Sequence, residues 1–307
     1  MFIRQLDYLV TLAREQHFAR AAELCHVSQP ALSSAIRNLE EELGLVIVRR
    51  GRRFLGFTEE GERVLGWARQ TLAALDRMRQ DASAAQVRLT GTLRIGAIPT
   101  TMPVVSLLLA ACREAHPAIR YSLRSLSSDV ILRELDDYEL DIGFTYLDER
   151  VQAGFEVLPL YRERYVLLSP SISGEGEGAC AGVTRWDAVG ALSFCLLGNA
   201  MQNRQVINAA FRRGGVQPDV VLEADSLLAL YSHVQRASLH SVLPHSLLSA
   251  LEAKNGVTAA LLLPELTREI GLIARNQPSM SALVSAMWRA ASQLDLQREF
   301  DALLPAA

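Results

Sequence analysis

The sequence predicts an α/β protein built from a winged helix-turn-helix over residues 1–58, a long linker helix over 59–89 and an α/β region over 90–307. Three observations predict it. Two short helical patterns meet at a tight turn in residues 18–44, FARAAELCHVSQPALSSAIRNLEEELG. A proline-free amphipathic stretch runs from residue 59 to about 87, and beyond residue 91 strand-like and helix-like segments alternate.

Residues 3–15 read as a first helix, with Ile3, Leu6, Leu9, Val10 and Ala13 as the stripe that packs against the following pair. In that pair Ala21, Ala22 and Leu24 supply a small apolar face, and His26 and Val27 break the first helix. Ser28 then caps a second, with Pro30 in its first turn. Leu32, Ile36, Leu39 and Leu43 recur at helical spacing as one buried stripe. The opposite face carries Gln29, Ser33, Ser34 and Arg37, short polar residues with one arginine, suited to bonding base edges and phosphates in a major groove. Residues 45–48 read as a strand, 49–53 as a basic turn and 54–57 as the returning strand. This wing carries Arg49, Arg50, Arg52 and Arg53 toward a DNA backbone or minor groove, the alternative being a solvated charged hairpin.

Thr58 caps the long helix, and Glu59, Glu60 and Glu62 suit its positive N-terminal end. Leu65, Leu72 and Arg79 fall seven apart with Ala68, Leu75 and Ala82 between them, a seam for a second copy of the helix. A helix lying on its own domain is the alternative. Residues 92–98 then alternate as a strand, followed by helix 104–116, strand 119–126, helix 129–138 and strands 140–145, 157–160 and 164–168. Residues 170–182, with four glycines and two glutamates, read as a flexible loop. A further αβ set spans 186–263, and 267–274 with 281–303 forms a returning strand and final helix. The alternation implies a mostly parallel sheet covered by helices.

At 307 residues, half of them hydrophobic, the chain suits two or three domains that each bury a core. It has no run of 18 apolar residues, and Met1 leads straight into an amphipathic pattern. A membrane partner is therefore excluded and a cytoplasmic location expected. The net charge of -3 does not advertise nucleic acid, but the wing arginines are clustered while the C-terminal two thirds carries the acidic excess. Lys254 is the only lysine, so abundant arginine by itself is not a sign of phosphate recognition. Cys25, Cys112, Cys180 and Cys195 form no CxxC pair and lie near no histidine at metal-ligand spacing. They read as reduced thiols, and no metal or cofactor is expected.

The run AAELCHVSQPALSSAIRNLEEELG, residues 21–44, resembles the DNA-binding signature of LysR-type transcriptional regulators, and the similarity continues through VRRGRRFLGFTEEGERVL, residues 48–65. The likeness covers the whole chain and is sharp over about the first 65 residues. It implies a bacterial regulator rather than an enzyme, bound to double-stranded promoter DNA and nucleoid-associated when bound. The linker helix would pair protomers, and a dimer of dimers, a homotetramer, would form, with RNA polymerase as a further partner. The DNA-contacting set implied is Gln29, Pro30, Ser33, Ser34, Arg37, Arg50, Arg52 and Arg53. Ser34 and Ala35 depart from the longer polar or basic residues common there, so no operator sequence carries over. Residues 90–307 resemble the family's effector-binding domain, similar in fold to periplasmic solute-binding proteins. Two α/β lobes are implied, lobe I at about 91–161 and 267–303 and lobe II at about 162–266. A redox sensor using Cys180 and Cys195 stays open as an alternative to ordinary buried thiols.

Where a strand feeds a helix in an open α/β sheet, the helix N-terminus presents unpaired N–H groups at the strand's carboxyl edge. Three such junctions carry polar side chains: Pro99 to Met102, Ser127-Ser128, and Asn199 to Asn203. Between such loops the resemblance places a small effector. Thr100, Thr101, Ser128, Gln202 and Asn203 are the expected polar contacts, and Met102, Phe144 and Met201 the apolar wall, with ordinary N-capping as the alternative for each. Donors converge there and no acid is in view, which predicts a small anion, a carboxylate.

Catalysis finds little support, since GxSxG, P-loop and HExxH motifs are all absent. The GEGEG run at 174–178 lacks the flanking strand and helix of a nucleotide loop, and His240 and His245, five apart, share no helical face. A solute carrier with an N-terminal dimerisation module is the rival class, and the wing arginines count against it. An enzyme in the C-terminal region is the third.

Overall fold

The computed structural model describes residues 1–51, 54–84, 89–171, 182–250 and 256–304. The chain divides into two compact units, Met1–Val87 and Arg88–Ala307.

In the first unit α1 (Ile3–Glu15), α2 (Phe18–Leu24) and α3 (Gln29–Leu43) precede a wing of β1 (Val48–Arg50) and β2 (Phe54–Phe57), and α4 (Glu59–Ala84) follows. Leu6, Leu9, Leu12, Leu32, Ile36, Leu39, Ile47 and Leu65 close one core. Ser28 Oγ accepts from Ala31 N at 3.3 Å to cap α3, as the sequence predicts, and His26 enters the left-handed region at φ 55° to make the turn before it. Ile3 and Leu43, placed in the buried stripes, are instead 51% and 41% exposed, because each lies in a terminal turn beyond the reach of the neighbouring helices. The first wing strand begins at Val48 rather than at residue 45. The backbone before it is engaged elsewhere, Ile47 N donating to Glu40 Oε1 at 2.8 Å and Ile47 O accepting from Thr58 N at 2.9 Å. Thr58 caps α4 by accepting from Gly61 N at 2.8 Å. Leu65 and Ala68, expected in an intermolecular seam, pack within this unit's own core, and α4 lies on α1. Further along, Leu75 is half-buried and Met78 exposed.

The second unit begins with β3 (Gly91–Ala97), α5 (Met102–Ala115), β4 (Ile119–Ser125), α6 (Ser128–Asp136), β5 (Ile142–Tyr146) and α7 (Glu149–Gly154). The long strand β6 (Phe155–Pro170) leads to β7 (Gly182–Arg185), β8 (Ser193–Leu197), α8 (Gln202–Arg213), β9 (Asp219–Ala224), α9 (Leu227–Ala237), β10 (Ser241–Pro244) and β11 (Val257–Leu263). The chain returns through β12 (Thr267–Arg275), α10 (Ala282–Gln293) and α11 (Leu296–Asp301). The main sheet runs β4-β3-β5-β12-β6-β11-β7 with β10 also on β6, and β8 and β9 form a second, parallel pair.

This sheet is mixed rather than mostly parallel. Strands β3, β4 and β5 are parallel, but β12, coming back from the second lobe, runs antiparallel to both β5 and β6. The two strands expected at 157–160 and 164–168 are one, β6, which pairs with β12 as far as Arg164 and with β10 from Tyr165. That switch of partners is the crossover between lobes, a few residues beyond the expected position at 161. Lobe I closes over Leu93, Ile95, Leu108, Ile142, Phe144 and Leu272, and lobe II holds a core on each side of its sheet, around Phe194 and Phe211 and around Val166 and Leu230. The expected loop residues 172–181 lie outside the described residues.

Candidate functional site

On α3 the apolar stripe Leu32, Ile36 and Leu39 is fully buried, which turns Gln29, Pro30, Ser34 and Arg37 outward as exposed residues and leaves Ser33 half-buried. Arg49 is exposed on the wing, and the Arg50 backbone pairs with Phe54. Arg52 and Arg53 lie outside the described residues. The Glu40 carboxylate ties the wing to α3, since the same oxygen also accepts from Val48 N at 3.0 Å.

In the second unit a cavity of about 310 Å³ opens at the carboxyl ends of β3, β4, β5, β8 and β9. Lobe I contributes residues 98–100, 125–128 and Tyr146, and lobe II contributes Leu197, Met201, Gln202, Asn203 and Asp225. This is the crevice where open α/β sheets place ligands. The N-cap residues of α6 and α8, Ser127 and Met201, make no side-chain cap, so among the described residues the first-turn N–H groups of both helices receive no capping side chain from their N-cap position. Thr145 Oγ1 donates to Ser128 Oγ at 2.9 Å, which leaves the Ser128 proton for a guest.

Asn203 is 5% exposed, and its Nδ2 donates to the Tyr165 hydroxyl at 3.3 Å and the Tyr146 hydroxyl at 3.5 Å. Its Oδ1 has no hydrogen-bond partner among the described residues. Behind Asn203, Glu163 is fully buried and accepts from Tyr165 at 3.3 Å and Tyr161 at 3.4 Å. Burial pushes its carboxyl up to about 8, against the lowering effect of those hydrogen bonds and of Arg268. Burial, with the neighbouring Glu163, also raises the Tyr146 hydroxyl.

Of the eight expected ligand contacts, Thr100, Ser128, Met201, Gln202 and Asn203 line this cavity. Thr101 does not, its hydroxyl being turned back to Ile98 O at 2.9 Å. Met102 lines a neighbouring apolar groove with Leu228 and Tyr231. Phe144 is in the lobe I core, because β5 is covered along its length and only its last residue, Tyr146, reaches the crevice. The expectation of a site without an acid is corrected by Asp225, which lines the cavity and is exposed. Asp225 and Ser226 form a fourth strand-to-helix junction, between β9 and α9, legible by the rule that found the other three.

Cys195 is buried with its thiol directed at the Leu230 and His240 carbonyls, and burial pushes it up to about 11. Cys112 is buried, burial raises the Cys25 thiol, and Cys180 lies outside the described residues. Among the described residues no group of three or more His, Cys, Asp and Glu could hold a metal ion, and no helix is long and apolar enough to cross a membrane.

Residues 3–62 match the family described as bacterial regulatory helix-turn-helix protein, lysR family, and residues 86–295 match LysR substrate binding domain. The DNA-binding transcriptional dual regulator OxyR of Escherichia coli K12 is 32% identical over 277 residues, 90% of each chain. A hydrogen peroxide-inducible genes activator of Escherichia coli O157:H7 matches over the same 277 residues at the same 32%. Among solved structures, a full-length OxyR of Pseudomonas aeruginosa with a cysteine-to-aspartate substitution superposes at a TM-score of 0.75 and 26% identity, covering 97% of each chain.

Proposed function

The chain belongs to the LysR family of bacterial transcriptional regulators, and from that premise we propose that its effector is a small carboxylate or other small anion held in the cavity between the lobes. It is a DNA-binding regulator and not an enzyme, with an effector-binding unit at its C-terminal side. The observation that carries the effector reading is the pair of uncapped N-termini, of α6 from lobe I and α8 from lobe II, on one cavity with the Ser128 hydroxyl. An anion joined to both completes N–H groups that neither lobe satisfies alone, and so favours one lobe arrangement. On the DNA side Gln29, Ser33, Ser34 and Arg37 read base edges, with Arg50, Arg52 and Arg53 gripping backbone or minor groove. Protomers pair through α4 into a dimer of dimers at promoter DNA.

The test is thermal unfolding of the full chain against small aliphatic, hydroxy, amino and aromatic carboxylates and inorganic anions. A ligand at about 100 times its dissociation constant adds roughly 2.7 kcal/mol and raises the midpoint by several degrees. That rise should shrink in Ser128→Ala. If no carboxylate or inorganic anion raises the midpoint, the reading falls.

The relatives' names favour a second reading, peroxide sensed by a thiol. A sensing thiol needs an exposed, low-pKa site, which Cys195, buried and raised to about 11, does not offer. The reading therefore rests on Cys180. A peroxide-dependent change in DNA binding that Cys180→Ser abolishes would install it in place of the anion.

A further inference from the structure

We propose that Glu163 and Arg268 form a proton-operated switch at the lobe crossover. While Glu163 is neutral, Arg268 rests on the ring of Tyr146 at the cavity wall. When Glu163 loses its proton to solvent, Arg268 turns to pair with it and leaves Tyr146. The switch goes beyond the effector reading and does not depend on what the cavity binds.

The strand register places the three residues. Strand β12 lies between β5 and β6, and Arg268 on β12 is the direct partner of Glu163 on β6. Facing residues of neighbouring strands put their side chains on one face of the sheet, close enough for opposite charges to meet. Here the guanidinium is drawn to the other side. It lies over the ring of Tyr146 at the end of β5, 5.7 Å from the centroid, and the buried Arg268 Nε has no hydrogen-bond partner among the described residues. That ring is near the outer limit of cation–π attraction, about 6 Å, so the contact wins only against an uncharged carboxyl group.

Glu163 can be held in either state. It is fully buried between Tyr161, of the lobe I core, and Tyr165, of the lobe II core, whose hydroxyls lie 3.4 and 3.3 Å from its oxygens. Tyr161 also has Ser246 Oγ at 3.4 Å, so its proton can go to the serine while it accepts from a protonated carboxyl, or to the carboxylate once that proton is gone. The hydrogen bonds survive ionisation, and what changes is the charge. A buried carboxylate needs a countercharge, and among the described residues around it Arg268 is the one placed to bring it. Burial raises the Tyr146, Tyr161 and Tyr165 hydroxyls, so all three stay neutral, and His245, beyond Tyr161, is lowered by burial to about 4. Arg164, on the opposite face of β6, is engaged with Glu265 at 3.2 Å and Asp301 at 3.7 Å. Because Tyr146 lines the cavity, the move of Arg268 alters the wall that an effector meets, and pH becomes a second input to the same unit.

The experiment follows the full chain across pH by infrared spectroscopy and thermal unfolding. The carbonyl stretch of a buried protonated carboxyl should disappear near pH 8 in the wild type and be missing in Glu163→Gln. In Arg268→Gln it should persist to higher pH by about one unit or more, because the ionised state has lost its cation, whereas a merely structural arginine would not move it. Double-mutant cycles then read the contacts. The coupling of Arg268→Gln with Glu163→Gln should be small about two pH units below 8 and large about two above it. The coupling of Arg268→Gln with Tyr146→Leu should run the other way. If Tyr146→Leu does not fold, the titration and the first cycle still decide. A stretch unmoved by Arg268→Gln overturns the switch, as does a coupling of Arg268 to either partner that is the same at both pH values.

Discussion

Glu40 engages one carboxylate oxygen with two backbone donors, Ile47 N at 2.8 Å and Val48 N at 3.0 Å, and both residues are fully buried. Removing the carboxylate strands two amides away from water, so Glu40→Ala should destabilise the DNA-binding unit by about 2–3 kcal/mol, and Glu40→Gln by less because one acceptor remains. Urea unfolding of the two variants checks this, and equal stability of Glu40→Ala and wild type would refute it. Arg37, exposed on the free face of α3, should behave otherwise. Arg37→Ala leaves folding unchanged and costs about 1–3 kcal/mol of operator affinity, confined to one base position if the guanidinium reads a base and uniform across sequences if it holds a phosphate. Titration of an operator and its single-base variants separates the two, and unchanged affinity for all of them removes Arg37 from the interface. Arg37 was legible from its place opposite a buried stripe. Glu40 was not, since a glutamate in EEEL reads as a solvated helix face until the wing folds back onto it.

At the scale of elements, α4 and the wing approach so closely that a Cβ on Gly61 would lie 2.1 Å from Ile47 O, a backbone atom that cannot rotate away. Gly61→Ala should therefore cost about 1–3 kcal/mol despite its better helix propensity. Gly66, in the same helix with nothing within 4 Å of its Cβ position, should instead gain up to about 1 kcal/mol on the same substitution. Thermal unfolding of the two variants should move in opposite directions, and movement in the same direction would show that the approach of α4 to the wing does not limit residue 61. Helix α4 was readable from its cap and its period, but its buried face was not assignable. A heptad seam and a face lying on α1 look alike in sequence, and Leu65 and Ala68 serve the second role. Strand β6 was split for a related reason: Arg162, Glu163 and Arg164 interrupt its apolar pattern, and a charged residue at 163 gives no hint that tyrosines two positions to either side will bury it. The cavity's helix ends followed from strand-to-helix order alone. Tyr146 and Glu163 enter through packing between lobes, which no local pattern encodes.

For the molecule as a whole, two buried groups at the lobe crossover set opposing pH slopes. Glu163, faced by Tyr161, Tyr165 and Arg268, is pushed by burial from 4.5 up to about 8. Between those values the folded chain keeps a proton that the unfolded chain has released, so stability falls as pH rises, by up to about 1.4 kcal/mol per pH unit. His245, whose Nδ1 accepts from Arg164 N at 3.1 Å, is lowered by burial from 6.5 to about 4, against the raising effect of Asp301. Here the unfolded chain takes up a proton that the folded chain refuses, so stability is lost as pH falls from 6.5 toward 4. From 4.5 to 6.5 the two slopes oppose each other, and above 6.5 only the Glu163 slope remains. Glu163→Gln keeps the shape and removes the titration. The difference in unfolding midpoint between variant and wild type should then grow in the variant's favour from pH 4.5 to 8 and level off above it. Other titrating groups contribute equally to both proteins and drop out of the difference. Parallel profiles would mean that Glu163 is already ionised in the folded chain at neutral pH, with the two tyrosine hydrogen bonds and Arg268 together outweighing burial.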